Sequence, residues 1–306
     1  MTLAFVFPGQ GSQFVGMGKD LADNDPAARA IFEQADRALG AKISALCFAG
    51  PEADLTDTLN AQPAILTHSI AALRVWQNNS REGSPAFVAG HSLGEFSALV
   101  AADALDFADA VKLVRERGRL MKAAGEKTPG AMAAVLGLDE KTLDEVCRDA
   151  GAQIANLNEP TQIVITGTKE SIEKAGELAK ARGAKRVMAL RVSIASHSRL
   201  MQDAAREFAN AVNATPFQNP RVPVISNVTA LPLRNPDEIR DELVQQLTSS
   251  VQWIKTINYL AAQGVTRFIE VGPKDVLAGL IRRINSNLSA VSVGDLASMK
   301  AFGGSS

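Results

Sequence analysis

Gly90-His91-Ser92-Leu93-Gly94 spells G-x-S-x-G, the pattern of a nucleophile elbow in which a serine is held in a strained strand-to-helix turn. An apolar run, Ala86–Ala89, precedes it, and a small-residue helical pattern follows to about Ala102. This context favours acyl transfer through Ser92 over a plain glycine-rich turn. A helix starting after Ser92 aims free N–H groups at any oxyanion formed there. The hydroxyl needs a base, and the chain holds three histidines, His68, His91 and His197. His91 adjoins Ser92, so its ring struggles to reach Oγ and reads as packing or site wall. His68 falls inside an apolar helix, where a hydrogen-bonded core histidine is the default. His197 follows a strand at a domain boundary, where pockets form. Elimination favours His197 as the base over His68.

Arg117 is the next group that could do chemistry. The helix expected over Phe107–Lys122, with Asp106 able to cap it, places Phe107, Ala110, Val111, Leu113, Val114, Gly118 and Met121 on one apolar face. Arg117 falls inside that face, while Lys112, Arg115, Glu116, Arg119 and Lys122 project elsewhere. An inward guanidinium requires an anionic partner, because a buried unpaired charge is very costly. Two readings stay open: an internal salt bridge, to Glu270 or Asp103, or a bidentate clamp for a substrate carboxylate. Joined to a serine nucleophile, the clamp points to transfer of a dicarboxylic acyl group.

Other signals are weaker. Gly9-Gln10-Gly11 follows a strand, but Phe14 stands where a dinucleotide fingerprint needs its third glycine. Gln10 is either a donor beside the site or part of a bare turn. Gly18-Lys19-Asp20 lacks the Ser/Thr of a P-loop, and no clustered His/Cys set suggests a metal. With 32 basic and 33 acidic residues the formal charge is −1, which removes bulk attraction to nucleic acid or anionic membrane. No segment approaches the apolar length of a membrane span, and the start lacks the pattern of a signal peptide. Cys47 and Cys147 read as reduced thiols. A soluble, cytoplasmic protein is expected.

Short apolar runs alternate with helical patterns, the mark of an α/β fold. Leu3–Phe7 and Arg267–Val271 read as buried strands, and Asp275–Ile284 as a helix after Gly272-Pro273. Pro63 suits a helix start, with the helix running buried to Asn79. In the middle, strands at Ala131–Leu138, Gln153–Leu157, Gln162–Thr166 and Arg186–Val192 alternate with helices at Asp139–Ala150 and Lys169–Arg182. This β-α-β-β-α-β order is ferredoxin-like and needs no strand from outside. Residues 126–194 are therefore expected to form a small inserted domain, and residues 1–125 with 195–306 a larger catalytic one. The end, from Phe302 on, is expected to fray.

These residues together resemble the malonyl-CoA:acyl carrier protein transacylases of bacterial fatty acid synthesis, over nearly the whole chain. The motifs are Phe7-Pro-Gly-Gln-Gly-Ser-Gln13, Gln62-Pro63, Gly90-His-Ser-Leu-Gly-Glu95, Arg115-Glu-Arg-Gly118, Gly130-Ala-Met132, Asn158 with Val164-Ile-Thr-Gly167, Ser196-His197, Gln246 with Val251-Gln-Trp253, and Glu270-Val-Gly-Pro273. The resemblance implies an α/β-hydrolase-like large domain carrying a ferredoxin-like small domain. It implies a malonylated Ser92, His197 as base, and the Gln246 carbonyl orienting His197 where hydrolases use a carboxylate. Backbone N–H groups of Gln10 and Leu93 would form the oxyanion hole, and Arg117 would hold the malonyl carboxylate. Gln62, His91, Met121 and Asn158 would line the pocket. Ser196 precedes the histidine where many malonyl-selective polyketide relatives carry Phe, but stand-alone fatty-acid enzymes also carry Ser.

The expected partners are malonyl-CoA and an acyl carrier protein, with no cofactor, metal, nucleic acid or membrane, and a monomeric enzyme. An acidic carrier needs local positive charge at its dock. Arg282-Arg283, Lys274 and Lys185-Arg186 are candidates, against the plainer reading of solvated surface charge. Two rival functions use the same elbow: a serine hydrolase or thioesterase, and a non-catalytic acyl-binding subunit of a synthase.

Overall fold

The computed structural model describes residues 2–80, 82–190 and 192–303. Among them ten strands run in chain order as β1 (Thr2–Phe7), β2 (Phe87–Gly90), β3 (Gly130–Leu136), β4 (Gln153–Glu159), β5 (Gln162–Thr168), β6 (Arg186–Ala189), β7 (Val224–Ile225), β8 (Pro232–Leu233), β9 (Val265–Glu270) and β10 (Ser289–Ser292). The larger sheet has the order β10-β9-β1-β2-β7-β8 and is parallel except for β8. In β1 all five residues of Leu3–Phe7 are buried, as expected for a parallel strand covered by helices on both faces. One core lies on the side of Phe5, Phe7 and Val88, the other on the side of Ala4, Val6 and Ala89. The period-2 alternation of β1 thus divides its side chains between two cores.

Two long helices carry the first core. Thr58–Asn79 is buried on most faces and crosses Phe107–Lys127. A Cβ on Gly118 would sit 2.6 Å from the Thr58 carbonyl oxygen, so only glycine admits this approach beside Arg117. Pro63 does not start its helix. Asp57 caps it six residues earlier, accepting from Leu59 N–H at 3.0 Å. A proline inside a helix leaves the carbonyl four residues back without its N–H partner. Arg115 Nη1 donates to that carbonyl, Leu59 O, at 3.4 Å.

The second sheet is antiparallel, in the order β4-β5-β3-β6, and its two helices, Glu140–Ala150 and Lys169–Ala181, share a separate core. The architecture is therefore α/β, an α/β-hydrolase-like part with a ferredoxin-like unit. Three further details differ from the sequence reading. The last strand of the small unit ends at Ala189, and Arg191 of the expected Arg186–Val192 strand lies outside the described residues. The edge of β4 is also not closed on itself. Its bulged register leaves backbone groups that pair with Val251 of the larger part, through Leu157 N–H to Val251 O (2.9 Å) and Val251 N–H to Ala155 O (2.8 Å). Finally, Phe302 does not fray: it lies in the helix Leu296–Gly303 and meets Trp76 edge-on at 4.8 Å, while positions 304–306 fall outside the described residues.

Among the described residues no helix is long and apolar enough to cross a membrane, and no group of three or more His, Cys, Asp or Glu could hold a metal.

Candidate active site

Ser92 stands at the carboxyl end of β2, beside the central strand, where open α/β sheets place their ligands. Its φ is +51°, a left-handed conformation that costs a non-glycine residue energy and must be held by its surroundings. Gly90 and Gly94 make the turn possible. A Cβ on Gly90 would collide with the backbone of Gly94, and one on Gly94 with the Phe7 carbonyl. Asn227, just past β7, clamps the turn from the side: its Oδ1 accepts from Ser92 N–H at 2.7 Å and its Nδ2 donates to Gly90 O at 2.7 Å. The helix Gly94–Ala101 then leads away. Its first turn uses the amides of Gly94, Glu95 and Phe96, not that of Leu93.

His197 meets Ser92 across the cleft, with Nε2 at 2.9 Å from Oγ. Its Nδ1 faces two carbonyl oxygens, Gln246 O at 2.8 Å and Ser249 O at 3.1 Å. Carbonyls only accept, so Nδ1 carries the proton and Nε2 presents a lone pair to the serine hydroxyl. Burial, and then the charge of Arg117, push the imidazole down to about 3. It is neutral and able to take a proton at physiological pH. His68 is elsewhere, its Nε2 against Gly294 O at 2.7 Å. His91 Nε2 bonds Asn158 Oδ1 at 2.7 Å, and its ring lies edge-on to Trp253.

Arg117 is 1% exposed, and neither acid considered for it is its partner. Asp103 pairs with Arg221 at 3.1 Å, and Glu270 caps the helix Val276–Ile284 through Ala278 N–H at 2.7 Å. The guanidinium instead donates to neutral oxygens: Nη1 to Gln62 Oε1 (2.8 Å), and Nη2 to Gln246 Oε1 (2.8 Å) and Ser92 Oγ (3.3 Å). Its Nε has no partner. Burial pulls its pKa down to about 10, still charged at neutral pH. A buried cation without an ion-pair partner among the described residues thus stands beside the nucleophile.

The cleft above these groups has a volume of about 760 Å³ and lies between the two sheets, with Gln10, Leu93, Met121, Asn158 and Leu190 among its lining residues. Gln62 and Gln246 are not on its wall. Both are fully buried behind Arg117, which they hold from two sides. The Gln10 side chain accepts from Thr58 Oγ1, also on the cleft wall, at 3.0 Å, and Thr58 in turn accepts from Gln62 Nε2 at 2.9 Å. A hydrogen-bond chain therefore links the Gln10 loop to Arg117. Thr58 and Asn227 are absent from the sequence reading, and Glu95 enters it only as the last residue of the elbow motif, with no role assigned. Asn227 had one usable signal, a polar pair directly after an apolar run that ends in the sheet beside the elbow. Of the surface cations, Lys274 donates to Gly11 O in the Gln10 loop at 3.1 Å, and Arg282 is engaged with Ala290 O at 2.7 Å.

An alcohol polarised by a neutral imidazole, beside helix-end amides, is the equipment of serine-dependent acyl transfer. A family profile described as acyl transferase domain matches residues 4–301. The malonyl CoA-acyl carrier protein transacylase of Bacillus subtilis (strain 168) is 49% identical over 298 residues, covering 96% of this chain and 93% of that relative. Among solved structures, an acyl carrier protein S-malonyltransferase from Vibrio cholerae superposes with a TM-score of 0.95 at 44% identity, over 99% of this chain and 100% of its own. A malonyl-transacylase in complex with a type II PKS acyl-carrier protein gives 0.96 at 42% identity, covering 100% of both chains. The chain belongs to the acyl transferase domain family.

Proposed function

We propose that this chain moves the malonyl group of malonyl-CoA to the phosphopantetheine thiol of acyl carrier protein through a malonyl-Ser92 ester, supplying malonyl-carrier for fatty acid synthesis. The observation that carries this reading is Arg117: a buried cation, held by neutral amide oxygens and 3.3 Å from Ser92 Oγ, suits an acyl group that ends in a carboxylate. The names of its close relatives support the same substrate and acceptor.

In the first half-reaction His197 Nε2 takes the Ser92 proton while Oγ attacks the thioester carbonyl. The tetrahedral oxygen is received by the backbone N–H groups of Leu93 and Gln10, each such donor contributing about 2.7–4 kcal/mol of barrier lowering. The C–S bond breaks, and His197 returns its proton to the departing coenzyme A sulfur. The second half-reaction reverses these roles: the carrier's thiol gives its proton to His197, its sulfur attacks the ester, and Ser92 Oγ leaves as His197 passes that proton to it. The carbonyls of Gln246 and Ser249 orient the imidazole from its Nδ1 side.

The two-part architecture enters as proposal too. Residues 1–125 and 195–306 carry the catalytic groups, and the ferredoxin-like residues 126–194 supply one wall of the cleft, with Met132, Asn158 and Val164 among the groups facing it. A monomer is the proposed working unit, acting in the cytoplasm with its coenzyme A substrate. No cofactor is called for, since phosphopantetheine arrives on the partner. Lys274, Arg283 and Lys185-Arg186 are the proposed contacts for the acidic carrier.

Intact-mass measurement after brief exposure to malonyl-CoA tests the reading. A malonyl-sized increase in the wild-type chain, absent in Ser92→Ala and discharged by carrier protein, is the expected result. Rapid release of free malonate without an acceptor would point to a hydrolase, and no adduct at all to an acyl-binding subunit.

A further inference from the structure

Gln246 does two things at once: its main-chain carbonyl faces His197, and its side-chain oxygen faces Arg117. The second contact depends on which way the carboxamide is turned. Turned over, it would present its NH2 to the guanidinium, donor against donor. What holds it lies behind the elbow. Gln246 Nε2 donates to a carboxyl oxygen of Glu95, and also to Ser92 O at 3.1 Å. Glu95 is fully buried on the helix that leaves the elbow, and its other oxygen accepts from Asn227 N–H at 2.9 Å.

We propose that Glu95 is a positioning residue for substrate selection: as an acceptor on both oxygens it locks the Gln246 carboxamide with its oxygen toward Arg117, and so aims the guanidinium at the acyl carboxylate. The inference rests on the functional reading above and deepens it. Ser92 O shares the Nε2 donor, and among the described residues Glu95 is the one side chain that accepts from it. Glu242, the nearest other acid, is occupied by Ser226 Oγ at 2.5 Å and Val228 N–H at 3.0 Å. Burial, together with the charge of Glu242, raises the Glu95 carboxyl well above its ordinary range. A carboxyl raised in this way carries less negative charge and competes less with the substrate for Arg117.

Two substitutions test this, with the ratio of kcat/KM for malonyl-CoA to that for acetyl-CoA as the readout. Glu95→Gln keeps the volume but offers one oxygen to two donors. The Asn227 backbone N–H cannot turn, so it takes that oxygen, and the new NH2 faces Gln246 and forces its carboxamide over. Glu95→Ala withdraws both acceptors. In each variant the malonyl-to-acetyl ratio is expected to fall about tenfold or more, as for a hydrogen bond to a charged group. In an Arg117→Ala background Glu95→Gln should leave the ratio where Arg117→Ala alone puts it. A folding defect lowers both substrates together and leaves the ratio alone, so the readout survives partial unfolding. Wild-type selectivity retained in both single variants would overturn the inference while leaving the malonyl reading intact. A wild-type chain that transfers no malonyl group would overturn both.

Discussion

Arg117→Ala is the perturbation with the largest calculable effect. The guanidinium has five N–H donors, of which three are committed, to Gln62, Gln246 and Ser92. A malonyl carboxylate that meets it gains two charge-assisted hydrogen bonds, each contributing about 1.5–3 kcal/mol net. Their loss is therefore about 3–6 kcal/mol, or roughly 10²–10⁴ in kcat/KM for malonyl-CoA. Acetyl-CoA has no carboxylate to lose. Its kcat/KM should hold or rise, since the charge that helps push His197 down to about 3 is gone and the imidazole becomes the stronger base. The malonyl-to-acetyl ratio is expected to collapse by about the same 10²–10⁴. Transfer to carrier protein, measured with each thioester across a concentration series, reads both values. Should the variant lose malonyl and acetyl transfer in equal proportion, Arg117 would be supporting the site's shape and not reading the acyl group.

Three further outcomes are expected. Thr58→Val, which conserves volume but cuts the links to Gln10 and Gln62, should lower malonyl kcat/KM about tenfold with little change in melting temperature; wild-type transfer would show that this chain of hydrogen bonds does not position the Gln10 loop. The acid limb of kcat/KM should lie far below the ordinary histidine value, leaving the rate flat down to about pH 5, and should move upward in Arg117→Ala; a wild-type limb near about pH 6.5 would contradict the depressed imidazole. Glu270→Gln should stabilise the fold at about pH 8 and not at about pH 4.5, as read by chemical denaturation. Burial raises the Glu270 carboxyl from 4.5 to about 7, so the unfolded chain releases that proton first and stability falls as pH rises between those values, by up to about 3 kcal/mol. Equal effects at both pH values would refute this.

Legibility from sequence follows the range of the interactions. Ser92 was readable because its turn is built from neighbours: the glycines at 90 and 94 are required by contacts within the elbow and against the adjoining strand. Arg117 was readable as inward because helical period sorts side chains by face over ten residues. Its partners were not. Gln62 and Gln246 lie 55 and 129 positions away, and no local pattern brings them to one guanidinium. The same holds for Asn227, which braces Ser92 from 135 positions along the chain. Pro63 misled for the converse reason. Proline at a first turn is the common local case, and what permits it inside a helix here is a distant side chain, Arg115, that covers the carbonyl it leaves free.

The choice of a main-chain carbonyl to orient His197 gains a physical reason from these contacts. Gln246 touches both His197 and Arg117, so a carboxylate at that junction would lie within reach of the guanidinium and pair with it. An enzyme that accepts neutral acyl groups loses nothing by that. One that selects acids through a buried cation would have its clamp filled by its own triad. On the proposed reading a neutral orienter leaves the cation to the acyl carboxylate and still fixes the imidazole tautomer. Gln246→Glu should thus retain the fold and the Ser92–His197 contact yet forfeit the preference for malonyl over acetyl groups. The ratio of the two transfer rates, measured beside Arg117→Ala, decides it: a variant as selective as the wild type would refute this account of the triad.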